Sequence, residues 1–310
     1  MQLSDRIGRR MKLHDLHILM AVVQTGSMSK AAALLNTTQP AISRSIAELE
    51  HAIGARLFDR NPQGVEPTEY GRVLLDGGTV VFDDLRQIVR NIEFLDDPAA
   101  GEVRIGSNPF LACSFVAAVV DRIFRRYPRI VFHLVAEQTE TMHRELSERN
   151  LDLLVARKFG PLADERLDFE FLFDDSFVVA AGAQSLWARR RRIEFAELVD
   201  EPWTLAPENV ETVAAFRANG LDNPRVTIVT IHRETRMSLV ATGRFLTIFP
   251  ASSLRFATRH PEIKVLPVDL SNFRMPIGIF TLKKRTVSPV AQLFVKHARA
   301  VAKTLAKHQR

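Results

Sequence analysis

Three hundred and ten residues is about twice the usual 100 to 200 residues per domain, so a single small fold is excluded. With 46% hydrophobic and 25% charged residues, 14 glycines and 15 prolines, the composition also excludes disordered, collagen-like and coiled-coil fibre proteins. One cysteine, Cys113, excludes an intramolecular disulfide and every multi-cysteine metal pattern, and no apolar run approaches the roughly 20 residues of a membrane span; the expectation is a cytoplasmic protein without membrane contact.

The net charge of +6 has a particular location. Residues 1 to 94 carry 11 basic and 11 acidic side chains, residues 95 to 282 carry 23 and 25, and residues 283 to 310 carry 8 and none. The excess lies in the last 28 residues, in and around the last helix, so any case for nucleic-acid binding by the front of the chain must rest on pattern.

From Leu13 the apolar residues Leu16, Leu19, Met20 and Val23 follow a helical spacing that stops at Thr25-Gly26. Ser27 offers an N-cap for a short second helix, Met28 to Leu35, whose Ala31-Ala32-Ala33 centre lets another helix approach closely. Thr38 can cap a third helix running to about His51, with Pro40 in its first turn, where a missing amide hydrogen costs nothing. On this helix Ile42, Ile46 and Leu49 form a buried stripe, and Pro40, Ser43, Arg44 and Ala47 form the opposite face. A face this small can lie in a major groove about 12 Å wide, with Arg44 suited to guanine and Gln39 to adenine. Residues Ile53 to Thr68 then read as a strand, a glycine turn and a return strand, which makes a wing.

The segments Gly26-Ser27-Met28-Ser29-Lys30-Ala31-Ala32, Gln39-Pro40-Ala41-Ile42-Ser43-Arg44-Ser45-Ile46, Leu49-Glu50 and Gly54-Ala55-Arg56-Leu57-Phe58-Asp59-Arg60 resemble, in this order, the N-terminal domain of LysR-type transcriptional regulators, with a dense match over residues 13 to 72. That resemblance implies double-stranded promoter DNA as a partner. The candidate contacts are Ser29, Thr38, Gln39, Pro40, Ser43 and Arg44. The family's wing turn commonly carries a basic residue where this chain has Gln63 beside Gly64, so Arg56 and Arg60 are the nearest basic substitutes.

Thr68 caps a further helix, Glu69 to about Leu95, in which Leu74, Val81, Ile88 and Leu95 repeat every seven residues, with Leu85 and Ile92 between them and Gly78 on the same seam. A seam on a helix that links two domains predicts a homodimer through residues 74 to 95, which would place two recognition helices on two half-sites. The family resemblance extends this to a dimer of dimers, and adds RNA polymerase as a further candidate partner.

Asp96 to Gly101 is a turn-rich hinge, after which short β runs alternate with helices. Candidate strands include Leu151 to Ala156, Leu167 to Phe173, Phe177 to Ala181 and Pro276 to Leu282, and candidate helices are Phe110 to Tyr127, Val213 to Ala218 and Pro289 to Ala306. The alternation predicts parallel sheets covered on both faces. Gly101-Glu102-Val103-Arg104-Ile105-Gly106, Tyr127-Pro128, Leu151-Asp152-Leu153-Leu154-Val155, Leu239-Val240-Ala241-Thr242-Gly243 and Ile248-Phe249-Pro250 resemble the effector-binding domain of the same family. The fold class is therefore α/β with an N-terminal all-α winged helix-turn-helix and a two-lobe, periplasmic-binding-protein-like effector domain. The domains would be residues 1–70, a linker 71–101, and 102–310, with lobe one at 102–172 plus 271–310 and lobe two at 173–270.

Ligands of open α/β sheets bind beyond the carboxyl ends of strands. The residues at those ends are Ser107, Asn108, Thr139, Arg157, Thr230 and His232, and helix N-termini beside them favour an anionic or polyhydroxylated small molecule. Cys113 reads as a small buried hydrophobe, and Arg189 to Arg192 as a solvated loop.

No nucleophile elbow, phosphate loop, dinucleotide fingerprint, HExxH or CxxC motif occurs, so neither catalytic residues nor a cofactor or metal are expected. Two other readings remain: a ligand-binding protein without regulatory role, against which the fused helix-turn-helix argues, and an enzyme with an unrecognised site. Absence of a protected promoter fragment in a footprint would favour either.

Overall fold

The computed structural model describes residues 11–61, 64–158, 160–162, 164–207, 216–217, 220, 224–256, 261–270 and 274–307. At the front, Leu13–Thr25 (α1) ends where Gly26 turns left-handed at φ 65°, its amide donating to the carbonyls of Val22 and Val23. Ser27 then caps Met28–Leu34 (α2) by accepting from the Lys30 amide. Gln39–Ile53 (α3) starts after an extended Thr38 that makes no side-chain cap, and runs past His51 until Gly54 turns left-handed. Leu19, Val22, Ala31, Ile42, Ile46, Leu49 and Leu57 form the core among these helices, each large side chain contributing about 1.5 to 3 kcal/mol by burial.

Phe58–Asn61 (β1) and Gly64–Pro67 (β2) pair antiparallel as the wing. The wing is tied down at both ends. The Val65 amide donates to the Gly26 carbonyl at 3.1 Å, and the Leu57 amide donates to the Glu50 carboxylate at 2.7 Å. Thr68 starts Glu69–Asp96 (α4), accepting from the Gly71 amide while its hydroxyl donates to the Arg56 carbonyl. Glycine is required at 71, because a Cβ there would collide with the Leu57 carbonyl oxygen.

The seam of α4 divides into two parts. Leu74 packs on the core of the three helices, and Gly78 is buried against Leu16 and Met20 of α1. Val81, Leu85, Ile88, Ile92 and Leu95 are exposed, Leu95 to 80%. Gly78 thus serves a contact within the chain, not the close approach of a partner helix.

The chain divides after Val89 into two compact units. In the second, Ala100–Ser107 (β3) lies parallel between Arg129–Ala136 (β4) and Leu153–Arg157 (β5). Leu167–Gly182 (β6) is a single strand of 16 residues where two had been expected. Its first half pairs antiparallel with Arg274–Leu282 (β11), which continues the sheet from β5. Its second half pairs antiparallel with Thr247–Pro250 (β9) and Ile263–Val265 (β10). The sheets are therefore mixed, not parallel throughout, because β6 and β11 carry the chain between lobes in opposite directions. Trp203–Leu205 (β7) and Val226–Val229 (β8) add a parallel pair in lobe two.

The expected helix Phe110 to Tyr127 is broken into Pro109–Leu111 (α5), a π turn at Ala112–Val116, and Ala117–Phe124 (α6). The Ser114 hydroxyl donates to the Phe110 carbonyl at 2.6 Å, a bond that competes with the regular backbone ladder. Thr139–Ser147 (α7), Arg233–Ala241 (α8), Ser253–Phe256 (α9) and Pro289–Lys307 (α10) complete the helices used below. The expected helix Val213 to Ala218 falls mostly outside the described residues. Lobe one packs Val119 and Ile123 of α6 against Phe294 and Ala298 of α10, and lobe two packs Phe195, Leu198 and Leu246 around fully buried Trp203.

Asp152, buried just before β5, joins lobe one to the end of α4. It accepts from the Arg104 amide at 2.8 Å, from Arg90 at 3.2 Å and from buried Arg285 at 3.3 Å, while Arg90 also reaches Glu102 at 3.0 Å.

Candidate functional site

Two places bring the chemistry together. The first is the outer face of α3. Because Ile42, Ile46 and Leu49 are turned inward, Gln39, Pro40 and Arg44 are exposed, with Thr38 exposed at the helix start and Ser29 exposed on α2. Gln39 Nε2 donates to Ser43 Oγ at 2.9 Å, and the Ser43 hydroxyl donates to Met28 Sδ at 3.3 Å. These contacts set the two side chains in place before any ligand arrives. Arg56 is exposed and shares a groove with Ser43, Ala47 and Asp59. Gln63 and the side chain of Arg60 lie outside what is described.

The second place is a cavity of about 150 Å³ between the lobes. Lobe one brings Asn108, Phe110, Thr139 and Arg157 to it; Phe177, Arg236 and Phe249 face them. Asn108 accepts from the Leu111 amide at 3.0 Å, so it caps α5 while lining the cavity. Thr139 is the first residue of α7, half-buried, and makes no cap.

Arg157 ends β5 with its guanidinium 4.6 Å from the centre of the Phe177 ring. Its Nε and Nη2 are shut off from solvent and have no hydrogen-bond partner. Burial lowers its pKa to about 10, against the opposing pull of Asp175. Asp175, in the middle of β6, is buried and accepts from the Ser252 amide at 3.0 Å and hydroxyl at 2.6 Å. Burial pushes its carboxyl up, in spite of those bonds and Arg157.

Arg236 was not legible as a site residue. It is 4% exposed, donates to Thr247 Oγ1 and the Ile248 carbonyl, each at 2.7 Å, and sits 4.9 Å from the centre of the Phe110 ring. Burial, then the charge of Arg157, lowers its pKa to about 10. The available signal was its position on the apolar face of α8, beside Met237 and Val240.

Ser107, Thr230 and His232 do not line the cavity. The Ser107 hydroxyl is buried and donates to the Val155 carbonyl at 2.9 Å. Thr230 Oγ1 accepts from the His232 amide at 3.2 Å, and the His232 side chain is exposed at the start of α8 without capping it. Cys113 is exposed, contrary to the expectation of a buried hydrophobe, because Phe110, Leu111, Ser114 and Phe115 take the inward face at the π turn. Arg189 to Arg192 are solvated as expected, with Arg190 paired to Glu197 and Arg192 to Glu194. Among the described residues no cluster of His, Cys, Asp or Glu could hold a metal ion, and no helix is long and apolar enough to cross a membrane.

Residues 13–72 match the family model described as bacterial regulatory helix-turn-helix protein, lysR family, and residues 96–303 match the LysR substrate binding domain. The chain belongs to the LysR family of transcriptional regulators. A LysR-family regulator binds DNA and carries a domain for an effector. Among curated relatives, the transcriptional regulator GbpR of Azospirillum brasilense is 26% identical over 302 residues, 95% of this chain and 88% of that protein. The SDS degradation transcriptional activation protein of a Pseudomonas species is 26% identical over 284 residues, 90% of this chain and 93% of that one. Among solved structures, a full-length cysteine-to-aspartate variant of OxyR from Pseudomonas aeruginosa aligns with a TM-score of 0.70 at 19% identity, covering 94% of this chain and 97% of that one. CbnR complexed with its target DNA aligns with a TM-score of 0.66, also at 19%, covering 94% and 100%. At that identity the likeness bears on the fold alone.

Proposed function

We propose that this LysR-family protein is a homodimeric, sequence-specific reader of promoter DNA that acts by binding and not by catalysis in the cytoplasm, and whose interlobe cavity holds the effector. Gln39, Ser43 and Arg44 read base edges. Ser29, Thr38, Pro40, Arg56 and Arg60 meet the backbone on either side, where contacts fix register and not sequence. Dimerisation through the exposed stripe of α4 doubles the reading head, so the operator is an inverted repeat, and two dimers bend it. Asn108, Thr139 and Arg157 contact the effector; lobe closure around it changes how the dimers pack, which RNA polymerase then senses.

The observation that carries this reading is the exposed apolar stripe Val81, Leu85, Ile88, Ile92 and Leu95, in a chain whose α3 already presents an uncovered polar face. Selection from a random duplex library tests it directly. The expected result is an inverted repeat whose half-sites lie one or more helical turns apart. Recovery of single, unrepeated half-sites would contradict it.

A further inference from the structure

Arg157 reaches the cavity from lobe one and Arg236 from lobe two. The flat faces of both guanidiniums are already taken, by Phe177 and Phe110 respectively. Their edges are free only in part, since Arg236 Nη2 already donates to Thr247 and Ile248. Nε and Nη2 of Arg157, and Nε of Arg236, have no hydrogen-bond partner. A buried charged donor left without a partner costs the full desolvation of that group, so an arrangement that keeps three of them is poised for something that supplies acceptors. Nε and Nη2 form one edge of a guanidinium, the fork that two oxygens of a single carboxylate satisfy side-on.

The charges limit what that ligand can be. Among the described residues, the buried charges here are two guanidiniums and one carboxylate, Asp175, whose two acceptor contacts to Ser252 suit its ionised form. Arg233, also near Phe110, does not line the cavity and is paired with Glu234. Glu137 and Glu140 line the cavity but are exposed to water, which screens them. The buried balance is one positive charge, which one negative charge neutralises and two would exceed. A polyol offers none. Size limits it further: the cavity of about 150 Å³ matches the volume in which an apolar cavity elsewhere holds one benzene ring. Its walls include Phe110, Phe177 and Phe249, with Phe110 and Phe249 stacked 5.6 Å apart and nearly parallel.

We propose that the effector is a small monocarboxylate with an apolar, ring-sized body, its carboxylate held side-on by Arg157 and reached from the other lobe by Arg236. This rests on the reading of the interlobe cavity as the effector site, and narrows that site's ligand to one chemical class.

The test is calorimetric titration of the full chain with acetate, isobutyrate and benzoate, with their three amides, with the dianion terephthalate, and with glucose. At least one monocarboxylate should bind saturably at millimolar concentration, roughly tenfold to a hundredfold more tightly than its amide, and more tightly than terephthalate or glucose. Arg157→Gln should erase that preference for carboxylate over amide, and Arg157→Lys should restore part of it. Thermal unfolding separates binding from structure. Removal of a buried guanidinium whose Nε and Nη2 have no hydrogen-bond partner should leave the unliganded Arg157→Gln protein close to its parent in stability; a clear loss of stability would make Arg157 a structural residue and overturn the assignment. Absence of monocarboxylate binding, or equal binding of acid and amide, also overturns it. Ala206 also lines the cavity, and Trp in its place would fill it; if terephthalate or glucose binds best and Ala206→Trp abolishes that binding, the ligand class is wrong while the site stands. If carboxylate binding persists in Ala206→Trp, both the class and the site fail.

Discussion

The two halves of α4 carry one seven-residue repeat and meet different surroundings. From Gly71 to Gly78 the helix turns small residues and Leu74 toward its own domain: Gly71 lies under the Leu57 carbonyl, and Gly78 against Leu16 and Met20. From Val81 to Leu95 the same repeat shows large apolar side chains to solvent. A heptad therefore records that a helix face is covered without recording by what. Small residues mark the half that the chain covers itself, and large exposed ones mark the half that the proposed second copy would cover.

The comparison can be broken most forcefully in the exposed half. Leu85→Asp would bury an unpaired charge twice at a symmetric contact, so sedimentation should find monomers or insoluble chain in place of dimers. An unchanged oligomer would mean that the stripe is not the seam. Next in size is the end of the helix, where Arg90 is held by buried Asp152. Asp152→Ala leaves Arg285 without its buried carboxylate, and urea unfolding of the effector unit should show a loss of about 3 to 5 kcal/mol. In the covered half, Gly71→Ala forces a methyl group into the Leu57 carbonyl and should cost roughly 1 to 3 kcal/mol of DNA-binding-domain stability. The smallest effect has the opposite sign. A Cβ at Gly78 would sit 3.8 Å from Leu16 and Met20, an ordinary contact. Gly78→Ala should therefore stabilise the domain by up to about 1 kcal/mol in thermal unfolding, through helix propensity; a large loss would show a closer approach there than this packing allows.

Much of the DNA-binding domain was legible because its boundaries are set by local chemistry. Gly26 and Gly54 adopt left-handed conformations that other residues resist, Ser27 caps the next helix, and Ile42, Ile46 and Leu49 can share only one face. The effector domain was less so, since its polar groups are committed by distant partners. Asp174-Asp175-Ser176 reads as a break between two strands, yet β6 runs through it because Asp175 is satisfied by Ser252, 77 residues away. Ser107 lies at the strand end where a ligand contact is expected, but the neighbouring strand's Val155 takes its hydroxyl. Arg236 was missed for the converse reason. Only the fold brings the buried face of α8 to a cavity whose opposite wall holds Arg157.

The claim that α3 reads sequence is tested most directly by titrating the parent and Arg44→Ala against both the selected operator and random duplex DNA at one salt concentration. Arg44 is exposed on that face; if it forks onto a base, its loss should cost about 1 to 3 kcal/mol per half-site on the operator and relax preference at one base position, with a smaller effect on random DNA. Equal losses on the two DNAs would make Arg44 a phosphate contact and contradict the account of how this regulator chooses its sites.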